Sequence, residues 1–237
     1  MLAKSQIIVL HTIKHGDTGI VVQCYSNTAG RTALYFRGSS KKMQNAALLH
    51  KLNILDVVTY TNGIQSMPTI REIAVPHNLS SLRSDIYKSS IAIFISELLG
   101  KTVRESEANP HLYSFISSSI QILEHIEEGV ANFHMWFLSN LCRFLGFSPG
   151  NEYMPEAWFD ISEGLYTADA PPREHRMSQQ NALILRDMLE CDVRYLSEVG
   201  LNRHQRVDFL DALLAYYAYH LDTIHSVQSI RILQEVF

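Results

Sequence analysis

The sequence predicts an α+β protein in which a small five-stranded barrel is followed by an all-helical domain. Residues 1–78 consist of short apolar runs separated by turn signals, a pattern typical of strands. In residues 79–237 the apolar residues recur at helical spacing instead. The net charge also changes sign between these two parts. With 237 residues, the chain is long enough for one large domain or two small ones with a buried core.

Five apolar runs lie in the first part, and each is separated from the next by a polar or glycine-containing turn signal. The predicted strands lie around Ile7–Leu10, Ile20–Val22, Ala33–Phe36, Leu52–Tyr60 and Ile70–Val75. Asn62-Gly63 between the last two is a hairpin signal. So many strands in such a short segment favour a small closed barrel, of which the OB-fold is the usual form at this size. An open five-stranded sheet remains the alternative.

Helical periodicity begins after Pro76 and continues to the last residues. The predicted helices start at Ser80-Ser81, at Asn109-Pro110 (an N-cap and a first-turn proline), at about Val130, at Ser178, at Asn202 and at Ser229. The third helix is expected to end at Gly146. Residues 147–177 hold most of the prolines and are predicted to be a long irregular connection. The predicted domains are therefore residues 1–78 and residues 79–237.

The two parts carry opposite charge. Residues 1–78 contain eight basic and three acidic side chains, a net charge of +5. Residues 79–237 contain twelve basic and twenty-one acidic side chains, a net charge of −9. The basic part is therefore a candidate for binding a polyanion. A solvated basic face without a ligand remains the alternative.

The usual signatures of catalysis are missing from the sequence. It contains no phosphate-binding glycine loop, no GxSxG motif and no paired carboxylates at a useful spacing, and its eleven histidines do not have metal-ligand spacing. Cys24, Cys142 and Cys191 lie far apart and form neither a CxxC pair nor a disulfide framework. We therefore expect a non-enzymatic protein without catalytic residues, metal or cofactor. The absence of a long apolar run and of a signal-peptide layout favours a cytoplasmic location.

The third predicted strand and the loop after it hold the most informative basic residues. Arg31 and Arg37 are an even number of positions apart, so they project to one side of an unbroken strand. Tyr35 lies between them and could stack on a base from the same side. Lys41 and Lys42 follow on the loop. Such an arrangement would contact phosphates with little sequence preference.

Several loose motifs follow one another in a fixed order along nearly the whole chain. In the first part these are Leu10-His11, Gly16-Asp17-Thr18, Gly30-Arg31, and Arg37-Gly38 followed by Lys41-Lys42. In the helical part they are Ile91–Leu99, Glu105–Tyr113, Asn132-Phe133-His134, Leu145–Pro149, and Phe159-Asp160 followed by Gly164. In this order they resemble the RecO family of bacterial DNA repair proteins.

The resemblance implies a specific function. Members of this family are recombination mediators with an OB-fold followed by a helical domain. They bind single- and double-stranded DNA, anneal complementary strands, and bind RecR and the C-terminal tail of the single-strand binding protein SSB. With these partners they help to load RecA onto SSB-coated DNA, and whether RecF takes part here is left open. The alternative function is a protein–protein adaptor whose basic barrel docks an acidic partner.

The resemblance also assigns site residues. The matching DNA contacts are Arg31, Arg37, Lys41 and Lys42, and charge alone adds Lys14, Lys51 and Arg71. An acidic, apolar SSB tail would need an apolar pocket with a basic rim, for which the candidates are Phe133, Trp136, Phe137, Arg143, Arg203 and Arg206. The alternative, which their spacing favours, is that the three aromatic residues belong to the core of the helical domain. Many relatives hold a structural zinc with four cysteines in the segment corresponding to about residues 147–201. This segment contains only Cys191 here, so we expect no zinc.

Overall fold

The chain forms two compact units, which we call the barrel unit (Met1–His125) and the C-terminal unit (Ile126–Phe237). The computed structural model describes residues 1–17, 19–37, 46–63, 66–222, 224 and 227–237. The predicted boundary after residue 78 marks the end of the barrel strands. The first helices that follow it belong to the same compact unit as the barrel.

The barrel unit begins with five strands that close on themselves in the order β1-β2-β3-β5-β4. Their bounds are Leu2–His15 (β1), Gly19–Ser26 (β2), Gly30–Arg37 (β3), Ile54–Tyr60 (β4) and Thr69–Ala74 (β5). Neighbouring strands are antiparallel except for β3 and β5, which run parallel. The closed barrel confirms the OB-fold prediction over the open sheet.

The side-chain alternation along the strands decides which residues fill the barrel. In β3, Leu34 and Phe36 are buried, whereas Tyr35 is half-buried and Arg37 is exposed on the outer side. The buried core cluster consists of Ile7, Val9, Val22, Cys24, Leu34, Phe36, Leu49, Leu55, Val57 and Ile70. Burial raises the pKa of the Cys24 thiol to about 12, so this cysteine serves as a small apolar side chain.

Three helices complete the barrel unit: Ser81–Ser84 (α1), Ile86–Thr102 (α2) and Pro110–His125 (α3). Two of them, α2 and α3, bond directly to the barrel. Ser96 of α2 donates its hydroxyl to the Leu10 carbonyl oxygen. The Tyr113 hydroxyl of α3 donates to Gln6 Oε1 at 3.0 Å, and its ring stacks on Tyr25 of β2.

The start of α3 is as predicted, whereas the first predicted helix is divided in two. Asn109 caps α3, since its Oδ1 accepts the Leu112 N–H at 3.0 Å. Asp85 separates α1 from α2, because its extended backbone ends α1 and its carboxylate accepts the N–H groups of Tyr87 and Lys88. An aspartate is a strong N-cap, and this one begins a new helix inside an otherwise periodic segment.

The C-terminal unit is built mainly of helices: Val130–Leu145 (α4), Gln179–Glu190 (α5), Arg203–His220 (α6) and Ile230–Val236 (α7). Their predicted starts are confirmed, with Ser178 capping α5 and Asn202 forming a capping box with Gln205 at α6. Helix α4 ends at Gly146, whose φ of +88° suits a glycine C-cap. Within the described ranges, no helix combines the length and apolar content that a membrane crossing requires.

The segment predicted as an irregular connection, residues 147–177, contains a small antiparallel sheet. Its strands are Trp158–Asp160 (β6), Leu165–Thr167 (β7) and Arg176–Met177 (β8), in the order β7-β6-β8. Each strand has only two or three residues, which is too few for an alternating apolar pattern to be visible in the sequence. This is why the prediction missed the sheet.

The side chains around this sheet do not fit a structural zinc site. Among the residues that the structure describes, no three His, Cys, Asp or Glu side chains are grouped so as to hold a metal ion. Cys142 is buried in α4, and burial raises the pKa of its thiol to about 12. Aromatic rings pack beside β6 instead, with Phe159 lying 5.1 Å from both Tyr166 and Tyr216 between ring centroids.

Candidate nucleic-acid interface

One row of outward-facing residues runs around the barrel. Each residue of the row is paired directly with the next one, which lies on the neighbouring strand. Starting from β1, the row consists of Ile13, Val21, Tyr35, Thr69, Tyr60 and Leu2. Directly paired residues of a sheet project to the same side. The two tyrosines are separated by Thr69, hence by two strand spacings, or about 10 Å. Ile13 and Leu2 at the ends of the row are 47% and 65% exposed.

Two arginines lie beside this row. Arg37 follows Tyr35 by two positions on β3, and Arg71 follows Thr69 by two positions on β5. β3 and β5 run parallel through the pairs Tyr35–Thr69 and Phe36–Ile70, and Arg37 and Arg71 each come directly after this short ladder on their own strand. Both arginines are exposed, and no ion pair in the described part of the chain involves either of them. Two positive charges are therefore available at this side of the row.

The ring of Tyr35 leans across the neighbouring strand β2. A Cβ atom built on Gly19 would come within 2.4 Å of the Tyr35 hydroxyl oxygen and 2.7 Å of its Cε2. The tyrosine thus occupies the space that a side chain at this glycine would fill. The His15 ring meets it edge to face, with centroids 6.0 Å apart and planes at 88°. The ring is therefore held along the sheet surface.

Tyr60 is held differently. The Arg71 guanidinium carbon lies 5.2 Å from the centre of its ring, within the range of a cation–π contact. Its hydroxyl donates to Asn62 Oδ1 at 2.9 Å. Arg71 is therefore oriented by an aromatic ring rather than by a carboxylate, and its charge is not neutralised. We call Tyr35, Arg37, Tyr60 and Arg71 together the tyrosine–arginine face.

The tyrosine–arginine face combines the two kinds of group that contact nucleic acids. Guanidinium groups bond to phosphate oxygens, and aromatic rings stack on bases. In the OB-fold, the face of β2 and β3 with the loops after β1 and β4 is where oligonucleotides bind. Here Arg37 pairs with Gly19 at the start of β2, and the N–H of Tyr35 donates to Pro68 O in the loop after β4. The arrangement is thus suited to a nucleic-acid strand.

Arg31, Tyr35 and Arg37 lie on one side of the same strand, as predicted, because β3 runs unbroken from Gly30 to Arg37. Six positions separate the two arginines, or about 20 Å along the strand. Arg31 is half-buried, its N–H donates to Glu105 O at 2.8 Å, and burial lowers the pKa of its guanidinium. Arg31 therefore does not join the tyrosine–arginine face, and its contact with DNA stays a prediction.

The lysines predicted as DNA contacts do not join this face either. Lys14 is exposed but pairs with Ile20, which packs against the barrel core, so it lies on the other side of β1 from Ile13. Lys51 is exposed just before β4, at the end of that strand opposite to Tyr60, about 20 Å away along the strand. Lys41 and Lys42 lie outside the described residues.

Two family models match this chain. The one described as recombination protein O N terminal covers residues 1–78, and the one described as recombination protein O C terminal covers residues 83–226. The second alone covers more than half of the chain. The chain belongs to the RecO family. The predicted resemblance is therefore confirmed.

Curated relatives match over their entire length. The chain is 29% identical over 241 residues to the DNA repair protein RecO of Azobacteroides pseudotrichonymphae genomovar. CFP2 and 29% identical over 240 residues to that of Christiangramia forsetii. It is 28% identical over 245 residues to the DNA repair protein RecO of Porphyromonas gingivalis. In all three comparisons 100% of both chains is covered. The barrel and the C-terminal unit thus both have counterparts in RecO proteins.

Two of the aromatic residues predicted to line a RecO partner site are core residues. Phe133 and Phe137 are both fully buried, so their inclusion in a docking groove is wrong and the alternative, core packing, is what the fold shows. Trp136 is half-buried and donates its Nε1–H to Cys191 O at 3.3 Å. The reason is periodicity: on α4 the apolar stripe faces the other helices of the unit.

The arginines predicted for the same RecO partner site lie in two places. Arg203 and Arg206 are in the first turn of α6, where Arg206 shares a narrow crevice with His134 of α4. Arg143 lies nine residues after His134 on the same helix, or about 13 Å along its axis. Each arginine already bonds within its unit, Arg203 to Gln234 O at 2.7 Å, Arg206 to Leu201 O at 2.6 Å and Arg143 to Asn140 O at 3.2 Å.

Tyr60 and Gly19 are absent from the predicted site residues, although both shape the tyrosine–arginine face. A weak signal for Tyr60 exists in the sequence. Tyr60 lies four positions after Asp56 on the fourth strand, so the two side chains project to the same side. Its nearness to Tyr35 depends on the parallel pairing of β3 with β5, which no local pattern reveals. Gly19 gives no signal beyond its place after a turn, since its importance comes from the ring lying over it.

Proposed function

We propose that this RecO family member is a non-enzymatic DNA-binding protein that anneals complementary strands during recombinational repair. In this proposal it acts in the cytoplasm, binds single- and double-stranded DNA, and contacts RecR and the C-terminal tail of SSB. With them it helps to load RecA onto SSB-coated DNA. The observation that carries the proposal is the tyrosine–arginine face, an exposed surface with two cations that lack a carboxylate partner in the described part of the chain.

The physical basis of annealing on this face is charge neutralisation. Arg37 and Arg71 each follow directly after the two residue pairs that join β3 to β5, so their guanidinium groups can contact phosphates of one strand or of two. Bound cations release counterions and reduce the repulsion between strands. Phosphate contacts position the backbone without reading its sequence, so any complementary pair can be annealed, and no nucleotide hydrolysis is required.

The first experiment measures how DNA affinity depends on salt. Arg37→Ala and Arg71→Ala should each lower the log–log slope by roughly 0.9 for duplex or roughly 0.7 for single strands, because each removes one phosphate contact. Fluorescence anisotropy at salt concentrations between 50 and 200 mM provides the slopes. Over this range, the affinity of a protein that makes several phosphate contacts changes by orders of magnitude. Arg173→Ala is the matched control, since Arg173 is an exposed arginine of the C-terminal unit. Equal slopes for all four proteins would contradict the proposal.

The adaptor function predicts a different outcome of the same titration. A barrel that docks an acidic protein would bind DNA no more tightly than any other polyanion of equal charge. Heparin is a suitable competitor for this comparison. Displacement of DNA by heparin at equal charge concentration would support the adaptor, whereas selective retention of DNA supports the repair function.

The partner contacts are tested with strands coated by SSB. We expect complementary oligonucleotides to anneal faster on addition of this protein, and the gain to fall when the SSB tail is removed. The proposed cations for the tail lie in two places, so Arg203→Ala and Arg143→Ala distinguish them, because only the variant at the true contact lowers affinity for a tail peptide. Annealing of bare strands alone would remove SSB from the proposal and keep the DNA-binding function.

A further inference from the structure

The Tyr35 ring has the geometry of a stacking platform. It is half-buried, with its hydroxyl end over Gly19 and its plane perpendicular to the neighbouring His15 ring. Such a ring has already lost most of its rotamer freedom in the free protein. When a side chain is already ordered in the free protein, less conformational entropy is lost on binding a ligand. The platform is thus preorganised by a glycine on the neighbouring strand.

The surroundings of the ring are suited to one base and one phosphate. Tyr35 lies in the middle of the row, between Val21 and Thr69. Arg37 is two positions further on the same side of the strand, or about 7 Å away along it. A base lying on the ring would therefore have a cation within reach of its backbone phosphate. Neither contact requires a particular base, because every base has a π-face.

The second tyrosine of the face has another role. Arg71 lies over the ring of Tyr60, so a cation already occupies one face of that ring, and the Tyr60 hydroxyl is bonded to Asn62. Tyr60 therefore orients an arginine, whereas among the aromatic and cationic contacts of the described residues Tyr35 makes only the perpendicular contact with the His15 ring. The two tyrosines are not equivalent.

We propose that Tyr35 stacks on an unpaired base and makes this face select single-stranded over double-stranded nucleic acid, an inference that rests on the proposed DNA-binding function. In a duplex the faces of the bases are covered by their neighbours, so only the phosphates can be contacted. Arg37 and Arg71 serve both forms, and Tyr35 serves the single strand alone. Stacking engages the face of a base and leaves its Watson–Crick edge free to pair with an incoming strand.

The test separates bases from phosphates. Three probes of equal length are compared at one salt concentration with the full chain: oligo-deoxythymidine, the same backbone without bases, and a duplex. Loss of one stacked base corresponds to about 5- to 150-fold in affinity. We expect Tyr35→Ala to weaken binding of oligo-deoxythymidine at least 5-fold and to change binding of the other two probes less than 2-fold. Tyr35→Phe should bind like the unchanged protein.

Two further variants keep the test decisive. Tyr35→Leu retains apolar packing over Gly19 without an aromatic face, so it should lose affinity for the oligonucleotide as Tyr35→Ala does. Tyr195→Ala is the matched control, because Tyr195 is an exposed tyrosine of the C-terminal unit. Equal weakening of all three probes by Tyr35→Leu, or no weakening of any, would overturn the stacking role. If Arg37→Ala also left all three probes unchanged, the DNA-binding function itself would fail, which is a separate result.

Discussion

In the C-terminal unit five of the eight arginines donate a side-chain hydrogen bond or form an ion pair, whereas among the described residues Arg37 and Arg71 of the barrel unit do neither. The five are Arg143, Arg186, Arg194, Arg203 and Arg206. Arg71 and Arg176 each lie over an aromatic ring. The barrel unit has a net charge of +4 and the C-terminal unit one of −8. The positive charge that a unit offers to a ligand therefore depends on which cations its fold leaves without partners, as well as on how many there are.

The aromatic residues of the two units differ in the same way. Phe133 and Phe137 of α4 are fully buried, while Tyr35 and Tyr60 lie half-buried on the outside of the barrel. A buried aromatic side chain removes a large apolar area from water and thereby stabilises the folded unit. On the barrel their rings remain available to a ligand or to Arg71.

Phe137→Ala should lower the free energy of unfolding by about 3–5 kcal/mol, because it leaves a cavity in the core of the C-terminal unit. Tyr35→Ala should lower it much less. Urea unfolding followed by circular dichroism measures both. A stable Phe137→Ala variant that had lost affinity for a partner peptide would show that this residue belongs to a docking site and not to the core.

His134 should make stability depend on pH. Burial, together with the charge of Arg206, lowers the pKa of His134 to about 3, against an ordinary value of about 6.5. Between these values the unfolded chain binds a proton that the folded chain does not, so stability falls as the pH drops below about 6.5. The loss at pH 4.5 should be on the order of 2–3 kcal/mol.

The measurement for His134 is urea unfolding at pH 7 and pH 4.5, for the unchanged protein and for His134→Leu. Other groups also titrate in this interval, and the difference between the two proteins removes their contribution. The unchanged protein should lose more stability than the variant over this interval. Equal losses would mean that the histidine is accessible to solvent, unlike the buried aromatic residues around it.

Gly30→Ala should destabilise the barrel unit by roughly 1–3 kcal/mol. The glycine has a φ of +58°, and an added Cβ would lie 2.2 Å from Glu107 O and 2.6 Å from Glu105 O. The segment that joins α2 to α3 therefore packs directly on the barrel at this point. Thermal unfolding measures the effect.

Gly63→Ala is the matched control for this change. Its φ of +86° imposes the same left-handed backbone, but nothing in the described part of the chain lies within 4 Å of the added Cβ. The excess cost at Gly30 is therefore the cost of separating the segment from the barrel. Equal costs at the two glycines would argue against including the first helices in the barrel unit.

Arg186→Ala should have the smallest effect. Arg186 pairs with Asp187 at 2.7 Å and approaches Glu190 at 3.9 Å on the surface of α5. Exposed pairs of this kind contribute less than about 1 kcal/mol, and this arginine is not available to a phosphate. The salt dependence of DNA binding should therefore stay unchanged. A reduced slope, as expected for Arg37→Ala, would place a DNA contact in the C-terminal unit and erase the difference between the units.

The order of strands and helices could be predicted because local signals mark most of their ends. Asn109, Ser178 and Asn202 cap helices as expected, and Gly146 ends α4. Asp85 was overlooked, since the apolar period continues on both sides of it. The sheet of β6, β7 and β8 was overlooked because its strands are too short to show alternation.

The candidate site could be predicted only where it lies within one strand. Arg31, Tyr35 and Arg37 can be predicted to lie on one side of β3, because side chains alternate between the two sides of a strand. The distance between Tyr35 and Tyr60 and the neighbouring positions of Arg37 and Arg71 require the β3–β5 pairing, which joins residues more than thirty positions apart. The backbone N–H of Arg31 donates to Glu105 O, which lies still further along the chain, so no local pattern predicts this contact.

The barrel closes between β3 and β5 through only two residue pairs, and one of them contains Tyr35. The amide of Tyr35, which donates to Pro68 O at 2.8 Å, therefore belongs to the shortest ladder of the barrel. Amide hydrogens in such places exchange with solvent through local opening. A ligand that binds the Tyr35 ring only while β3 and β5 are paired stabilises the closed form. The opening therefore becomes rarer as the fraction of ligand-bound protein rises. Hydrogen exchange at this single amide thus reports how often the face is occupied.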